Sequence, residues 1–430
     1  MICWLRTNCS RLFLLFVIIG LAGGVPRRAY SGTAEIGSNG VQSVGQPIGE
    51  QTQNQSPVKT SSAKWPGYRI QLPEFQSSLR LRGLVHADAV FFPGNGTTPS
   101  HQFDIRRARL AFDGNAGKLF SFRIQPQWSS SSAIILDAYI DVSLSDAFNI
   151  RVGRMKTPLG IEMLQSASVL MLPERGLSSA LVPNRDTGVQ ISGNFANGIF
   201  EYAVGIGNGT TDQGRSAGNT QNNFDEYIRF GMQPFKSTRL SGVEKTDFGI
   251  AASYGAETGT VDMPALPGYK TSGRTSFAAY NADVFADGNR WRLNPWLRWY
   301  YKPVGFISEY VFSSQEVMSN ERDHTVGNHA WMAGLTVVAT GEDASYRGIV
   351  PNRSFGAIEL AARFGGLYLD KGALDREFFT TDSSSSAHAW GIGVNYWSPT
   401  IFRLQTAFEQ IFLKSRPRED AVFIRCQISL

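Results

Sequence analysis

Apolar and polar residues alternate with a period of two in many segments of the chain from about residue 75 onward. One segment has Phe120, Phe122 and Ile124 on one side and polar residues between them, and the next has Leu136 and Ile140 on its apolar side. Many amphipathic segments of about ten residues are typical of a transmembrane β-barrel. The pattern therefore predicts an all-β fold, a membrane-spanning antiparallel barrel.

The alternating segments predict sixteen strands. A seventeenth candidate at 275–285 contains Asn281 and Asp283 among small residues, and we expect it in a loop because bacterial single-chain barrels have even strand numbers. The predicted strands are 75–92, 102–113, 118–128, 133–144, 147–156, 186–195, 198–208, 224–235, 246–256, 290–302, 304–315, 327–340, 355–369, 386–397, 400–413 and 420–430.

The lengths of the connections support a barrel. Short and long links alternate along the chain, as they do in barrels with short periplasmic turns and longer external loops. The long links, which we expect on the external side, are 157–185, 209–223, 257–289, 316–326 and 370–385.

The N-terminus carries an export signal. Arg6 and Arg11 precede an apolar run at 12–22, which is too short to span a bilayer and fits the core of a signal peptide. The following stretch is rich in Gly, Ser, Gln, Asn and Thr. We therefore predict a signal peptide at 1–31, a flexible periplasmic segment at 32–70 and an outer-membrane barrel at 71–430.

Removal of the signal peptide changes what composition implies. Four of the 41 Lys and Arg residues lie in 1–31 and no acid does, so 37 basic residues remain against 36 acidic ones. The basic isoelectric point thus gives no reason to expect a nucleic-acid partner. Cys426 would be the one remaining cysteine, and the histidines are not paired at metal-ligand spacing. We predict no metal and no cofactor.

The inward, polar side of the predicted strands is rich in arginine. Thirteen arginines against seven acids should give a water-filled pore a positive potential that concentrates small anions. The alternative is that the arginines pair with the acids and brace the wall. The inward cations are Arg80, Arg82, Arg107, Arg109, Arg123, Arg151, Arg229, Arg290, Arg292, Arg298, Arg363, Arg403 and Arg425, and the acids are Asp88, Asp137, Asp141, Glu201, Glu309, Glu359 and Glu409.

The densest basic cluster indicates a candidate anion pathway. Arg106 has the parity of the lipid-facing residues, so it either extends to the membrane surface or is turned inward by a β-bulge. The pathway residues are Arg106, Arg107, Arg109, Arg123, Arg151, Arg154 and Lys156, with the acid Asp137.

The long connection at 157–185 follows this cluster. A loop of this length and mixed composition could fold into the pore and narrow it, or it could form an external lid. The candidate constriction residues are Glu162, Gln165, Ser166 and Arg175, and Glu174 lies beside them.

At these residues the chain resembles the phosphate-selective porin O and P family. The resemblance implies a sixteen-stranded, homotrimeric outer-membrane porin whose third external loop folds inward. The matching stretches are 105–109 (IRRAR), 136–139 (LDAY), 151–162 (RVGRMKTPLGIE), 173–175 (PER), 183–190 (PNRDTGVQ), 340–343 (TGED), 357–363 (AIELAAR) and 393–397 (GVNYW).

The resemblance also implies roles for individual residues. In phosphate-specific members, the arginines that match Arg106 and Arg107 line the constriction, with an acid matching Asp137 and basic residues from the infolded loop. Where those members carry a lysine in the loop, this chain has Met163, and 164–168 contains no cation. The resemblance therefore favours a preference for small anions, with phosphate or similar oxyanions among them, over a dedicated phosphate site.

Two other classes of protein remain as alternatives. An exported soluble β-rich binding protein, for example one that binds carbohydrate, would also show alternation and many aromatic residues. A membrane-embedded hydrolase would need a nucleophile and a histidine on one face, but His86 is isolated on the inward side. We expect a passive channel without enzymatic activity, with outer-membrane lipid and small anionic solutes as its partners.

Overall fold

The computed structural model describes residues 68–72, 76–94, 99–129, 132–214, 223–238, 240–320 and 322–430. Their strands are β1 (Tyr68–Leu72), β2 (Ser77–Phe91), β3 (Gln102–Ala116), β4 (Phe120–Ser129), β5 (Ser132–Ser145), β6 (Phe148–Met155), β7 (Asp186–Phe195), β8 (Phe200–Gly207), β9 (Asp225–Met232), β10 (Lys245–Thr258), β11 (Tyr269–Lys270), β12 (Ser276–Ala278), β13 (Phe285–Tyr301), β14 (Val304–Ser319), β15 (Arg322–Val338), β16 (Ala357–Tyr368), β17 (Ser386–Trp397), β18 (Phe402–Leu413) and β19 (Glu419–Ser429).

Sixteen of these strands form a closed antiparallel barrel, as the sequence predicted. Each strand from β2 to β10 and from β13 to β19 pairs with its neighbour in the chain, and β19 pairs with β2 to close the ring. Closure leaves no free edge, so every backbone polar group of the wall can bond within the protein. Among the described residues, helix is confined to short turns at α1 (Ile161–Leu164), α2 (Lys371–Asp375) and the 3₁₀ segments Ala167–Val169 and Leu177–Leu181.

The alternation accounts for the two faces of the wall. Phe122 on β4 lies opposite Ile140 on β5, and both side chains are exposed on the outside. The next residue on β4, Arg123, lies opposite Tyr139 on the inner side. Apolar side chains that would be costly to expose to water therefore face lipid, and polar ones face the lumen. No helix among the described residues is long and apolar enough to cross a membrane.

The candidate seventeenth strand lies in a loop, as predicted. Ser276–Ala278 pairs only with Tyr269–Lys270 in a separate two-stranded sheet. The predicted external loop at 316–326 is wrong, because β14 continues to Ser319 and β15 begins at Arg322. Continued pairing between these two strands, as at Glu316 and Thr325, satisfies the backbone there.

The predicted boundary at residue 70 is also displaced. Residues 68–70, which we assigned to the flexible segment, belong to β1, which pairs antiparallel with the start of β2. An alternating sequence, YRIQL, can form a ladder with that strand. The predicted signal peptide at 1–31 and the rest of the periplasmic segment, 32–67, lie outside the described residues.

Two irregularities change the predicted direction of side chains. The pairing of β2 with β3 skips Arg106, which is the extra residue of a β-bulge, and the pairing of β4 with β5 skips Leu136. The prediction that Leu136 faces lipid is wrong, since this side chain is fully buried and Ile135 is exposed instead. An unpaired extra residue shifts the alternation by one.

Candidate functional site

A cavity of about 830 Å³ lies within the barrel. Its lining is strongly basic, with fifteen basic and four acidic side chains among the described residues. The basic residues are Arg82, Arg106, Arg107, Arg109, Arg123, Arg151, Lys156, Arg175, Arg185, Arg229, Lys270, Arg274, Arg298, Arg347 and Arg363, and the acidic ones are Asp137, Glu174, Glu201 and Glu409.

The segment between β6 and β7, residues 156–185, contacts the inner face of distant strands. The main-chain N–H of Gly160 donates to Asn294 Oδ1 on β13 (2.9 Å), and that of Ile161 donates to Glu309 Oε2 on β14 (2.8 Å). Arg403 on β18 donates to the carbonyl oxygen of Leu170 (2.9 Å). These bonds hold the segment against side chains that point into the lumen.

A buried ion cluster fastens the middle of this segment. Arg363 on β16 donates to Glu162 Oε1 (2.7 Å), to the carbonyl oxygen of Glu174 (2.7 Å) and to both carboxylate oxygens of Glu409 on β18 (3.2 and 3.3 Å). Glu162 also accepts from the main chain of Gly176 (2.7 Å). Because buried charges are costly unless they are paired, loss of any member of this cluster would leave a buried charge without its partner.

The bulge on β3 brings Arg106 to the same face as Arg107. Arg106 donates to both oxygens of Glu174 (2.8 and 3.1 Å), and Arg107 donates to Glu174 Oε2 (3.4 Å). We predicted that Arg106 either extends to the membrane surface or is turned inward by a β-bulge, and the structure shows the bulge. Burial alone would raise the pKa of Glu174, but Arg107, Arg106 and Arg425 hold that pKa well below its usual value.

Two predicted pathway arginines form ion pairs along the wall. Arg123 donates to Asp113 Oδ1 (2.6 Å), a carboxylate that also pairs with Arg82. Arg151 donates to both oxygens of Asp141 (2.6 and 2.9 Å). These side chains keep their guanidinium groups at the lumen, but a carboxylate beside each one reduces its field.

The predicted acid, Asp137, pairs with a residue that the sequence did not indicate. Arg185, at the end of the segment, donates to Asp137 Oδ1 (2.8 Å), and both side chains are almost fully buried. The signal available was the position of Arg185 in the PNRDTGVQ stretch. Its partner could not be inferred because loop residues lack a fixed parity.

Five cations of the lining have no carboxylate within 4.0 Å among the described residues: Arg109, Lys156, Arg175, Lys270 and Arg347. Arg109 Nε donates to Gln127 Oε1 (2.6 Å). Lys156 Nζ donates to the carbonyl oxygens of Met163, Leu164 and Gln165 (2.8, 2.9 and 3.0 Å).

Arg175 likewise binds only main-chain oxygens in the described structure, those of Glu162, Met163 and Gln165 (2.9, 3.5 and 2.9 Å). Both Lys156 and Arg175 thus bind the carbonyl end of helix α1. Burial, and then the fields of Arg175 and Arg185, lower the pKa of Lys156 well below its usual value. The three carbonyl acceptors match the three donors of the ammonium form and favour that form.

The remaining candidate loop residues support the segment. Gln165 Nε2 donates to the carbonyl oxygen of Tyr346 (2.9 Å), in the connection between β15 and β16. Ser166 Oγ accepts from the main chain of Ser168 (3.4 Å), at the start of a 3₁₀ turn. Both residues line the cavity.

One predicted pathway residue is placed elsewhere. Arg154 lies in register with Ala138 and Thr187 and does not line the cavity. The prediction followed from its closeness to Lys156 in the chain, but the alternation of β6 places Arg154 on the side of Val152, which is exposed outside. We therefore exclude Arg154 from the pathway.

Several inward arginines brace the wall and do not line the cavity. The prediction that all thirteen inward arginines contribute to the potential of the pore is therefore wrong for these residues. Arg290 and Arg292 are buried against Asp225, and Arg292 Nε also donates to Asp212 (2.6 Å). Arg425 donates to both oxygens of Asp88. For these residues the bracing alternative is the correct one.

Cations that the sequence did not indicate reach the cavity from connections. Lys270 and Arg274 extend from the connection between β10 and β13, and Arg347 from that between β15 and β16. Arg274 pairs with Asp104 on β3 (2.8 Å). Within the described ranges, no three His, Cys, Asp or Glu side chains form a group that could hold a metal ion.

A closed sixteen-stranded barrel with an apolar outside and a charged lumen defines a porin, a channel of the bacterial outer membrane. The chain belongs to the phosphate-selective porin O and P family, whose family model matches residues 79–415. No curated protein matches the sequence.

Solved outer-membrane channels share the fold at low sequence identity. The channel DcaP of Acinetobacter baumannii is 11% identical with a TM-score of 0.56, covering 84% of this chain and 99% of its own. An anion-selective porin from Comamonas acidovorans is 11% identical with a TM-score of 0.52, covering 82% and 100%. The trimer form of OmpT from Vibrio cholerae is 9% identical with a TM-score of 0.52, covering 82% and 99%.

Proposed function

We propose that this porin is a passive diffusion channel that prefers small anions. The observation that carries the proposal is the group of Arg109, Lys156 and Arg175, three of the five lining cations with no carboxylate partner within 4.0 Å in the described part of the chain. Their hydrogen-bond acceptors are neutral, so the positive charge is not cancelled where it stands.

The wall of the barrel strengthens this field. Low-dielectric walls focus the potential of lining charges into the water between them, and fifteen basic residues stand there against four acidic ones. A permeating anion is therefore concentrated at the pathway and a cation is depleted. The arginine forks add donors that suit carboxylate and phosphate oxygens.

The loop residues favour general anion passage over a dedicated phosphate site. Met163, which stands where the resembling phosphate-specific members carry a lysine, is a buried apolar residue among Leu159, Leu177 and Leu181. It adds no charge to the pathway. We propose that phosphate and similar oxyanions pass as members of a broad class.

We propose that segment 156–185 is the third external loop, folded inward as the constriction. Its bonds to Asn294, Glu309 and Arg403, on three strands away from its own, support this assignment. We further propose a homotrimer in outer-membrane lipid, because OmpT is described as a trimer form and exposed apolar side chains such as Phe103 and Ile140 cover the outside. The anion-selective Comamonas porin supports the preference for anions.

We propose no catalytic activity for the channel. His86, the inward histidine, has its Nδ1 beside Arg107 Nη1 at 3.2 Å. Since a guanidinium only donates, this nitrogen accepts from arginine and is not paired with a nucleophile. Family and fold both favour transport.

Liposome swelling with three solutes of similar size and different charge tests the preference. Liposomes containing the purified protein would be diluted into glucose, gluconate or glucosamine, and protein-free liposomes would serve as the control. We expect gluconate to enter faster than glucosamine, with glucose between them. Faster entry of glucosamine would contradict the proposed preference, and no entry of any solute would contradict the channel.

A further inference from the structure

The carboxylate of Glu174 lies among three arginines at the edge of the cavity. Its Oε1 accepts from Arg106 Nε and from Arg425 Nη2, both at 2.8 Å, and its Oε2 accepts from Arg106 Nη2 (3.1 Å) and Arg107 Nη2 (3.4 Å). Four N–H groups thus converge on one oxyanion. This is the arrangement that guanidinium forks form with a bound carboxylate or phosphate.

Glu174 is the only carboxylate within 4.0 Å of Arg106 or Arg107 in the described structure. Arg425 differs, because Asp88 already binds it through both oxygens. Without the charge of Glu174, the two neighbouring guanidinium groups on β3 would therefore have donors available to a solute. The lining position of Arg106, Arg107 and Glu174 makes these donors reachable from the cavity.

The loop does not depend on this carboxylate for its position. The carbonyl oxygen of Glu174 itself accepts from Arg363 Nη1 (2.7 Å), and that of Pro173 accepts from Arg425 Nη1. Glu162 binds Arg363 from the same segment. The main chain is thus held on both sides of the residue by bonds that a change in its side-chain charge leaves in place.

We propose that Glu174 is a tethered competitor for the anion site, a carboxylate of the protein that occupies the donors of Arg106 and Arg107 which a permeating oxyanion would otherwise bind. This inference rests on the proposed anion pathway and deepens it, since it assigns the residue that sets how long an oxyanion stays. A passing phosphate must share or displace donors that are already bonded.

The consequence is rapid passage with weak retention. Conduction requires binding that is favourable enough for entry and weak enough for exit. A free pair of adjacent arginines would hold a multiply charged oxyanion and slow its exit, whereas an internal carboxylate leaves attraction at a distance and removes the tight contact. The channel would then serve small anions broadly.

The test is block of chloride current by inorganic phosphate in planar bilayers, in wild type and in Glu174→Gln, which keeps the size of the side chain and removes its charge. We expect half-block by phosphate at a concentration at least about ten-fold lower in Glu174→Gln. Glu174→Asp, which keeps the charge and draws it back from Arg106, should give an intermediate value. The matched control is Glu201→Gln, because Glu201 lines the same cavity but makes one contact of 3.5 Å with Arg229.

Equal half-block concentrations in wild type and Glu174→Gln would overturn the proposal, as would an equal fall in Glu201→Gln, which would show a general effect of charge. If Glu174→Gln does not fold, an unchanged value in Glu174→Asp overturns it. Failure of the proposed function is separable, since it would appear in wild type as cation preference in chloride salt without phosphate.

Discussion

Arg109 gives the sharpest test of how the lumen selects for charge. Its guanidinium lines the cavity and donates to the neutral Gln127 (2.6 Å), with no carboxylate within 4.0 Å in the described residues. Replacing Arg109 by Gln removes one charge and leaves no acid unpaired. The fold should therefore persist, and the change should be confined to the potential in the pathway.

The size of the effect follows from Coulomb's law. An anion that passes about 5 Å from a unit charge in a water-like dielectric gains about 0.8 kcal/mol, which corresponds to about a four-fold change in its local concentration. The gain is larger where low-dielectric walls surround the water. We therefore expect the chloride-to-potassium permeability ratio of Arg109→Gln to fall by about four-fold or more.

The assay is the reversal potential of single channels under a potassium chloride gradient. Arg418→Gln is the matched control, because this substitution changes the net charge by the same amount. Arg418 is exposed outside the cavity and paired with Asp420. Its permeability ratio should stay that of wild type. An unchanged ratio in Arg109→Gln, or equal falls in both variants, would refute the assignment of selectivity to the lining cations.

Arg363→Gln leaves two buried carboxylates without their cation, so we expect about 3–5 kcal/mol of destabilisation. This should be seen as a lower thermal midpoint in detergent and as faster proteolysis of the loop. An unchanged midpoint would contradict this role of Arg363. The pKa of Glu174 is lowered in the folded state. The ionised Glu174 side chain therefore contributes to stability above its usual pKa, and this contribution is lost as pH falls through the lowered pKa. The difference in thermal midpoint between wild type and Glu174→Gln should stay constant from pH 7 to about 5 and shrink only in stronger acid. A Cβ on Gly249 would lie 2.1 Å from the carbonyl oxygen of Phe230, whereas one on Gly268 meets nothing within 4 Å. Gly249→Ala should therefore lower the free energy of unfolding by about 1–3 kcal/mol, and Gly268→Ala should melt like wild type. Equal thermal midpoints in the two variants would contradict this close backbone contact.

The strands could be predicted because each one satisfies a local rule. A wall one strand thick has water on one side and lipid on the other, so the polarity of each residue indicates which side it faces. Phe122 and Arg123 illustrate this, since their predicted directions match the structure. The exceptions lie at bulges, where one extra residue reverses the parity, as at Leu136.

The site could be predicted only in part, because charge pairing depends on contacts between distant segments. Parity placed Arg107 and Arg363 inside, but their partners Glu174 and Glu162 lie in a loop with no period. Arg292 was predicted to face the lumen and does face inward, yet Asp212 from another connection covers it. Sequence alone thus gives the direction of a cation but not its neutralisation.

Uncancelled lining cations are the proposed cause of the channel's preference for anions. The reversal potential of the purified wild-type protein in a planar bilayer, under a potassium chloride gradient, measures this preference directly. We expect a reversal potential displaced from zero toward the equilibrium potential of chloride, and a smaller displacement in Arg109→Gln. A reversal potential displaced toward the equilibrium potential of potassium would mean that the lining acids outweigh Arg109, Lys156 and Arg175, and would contradict the proposed anion preference.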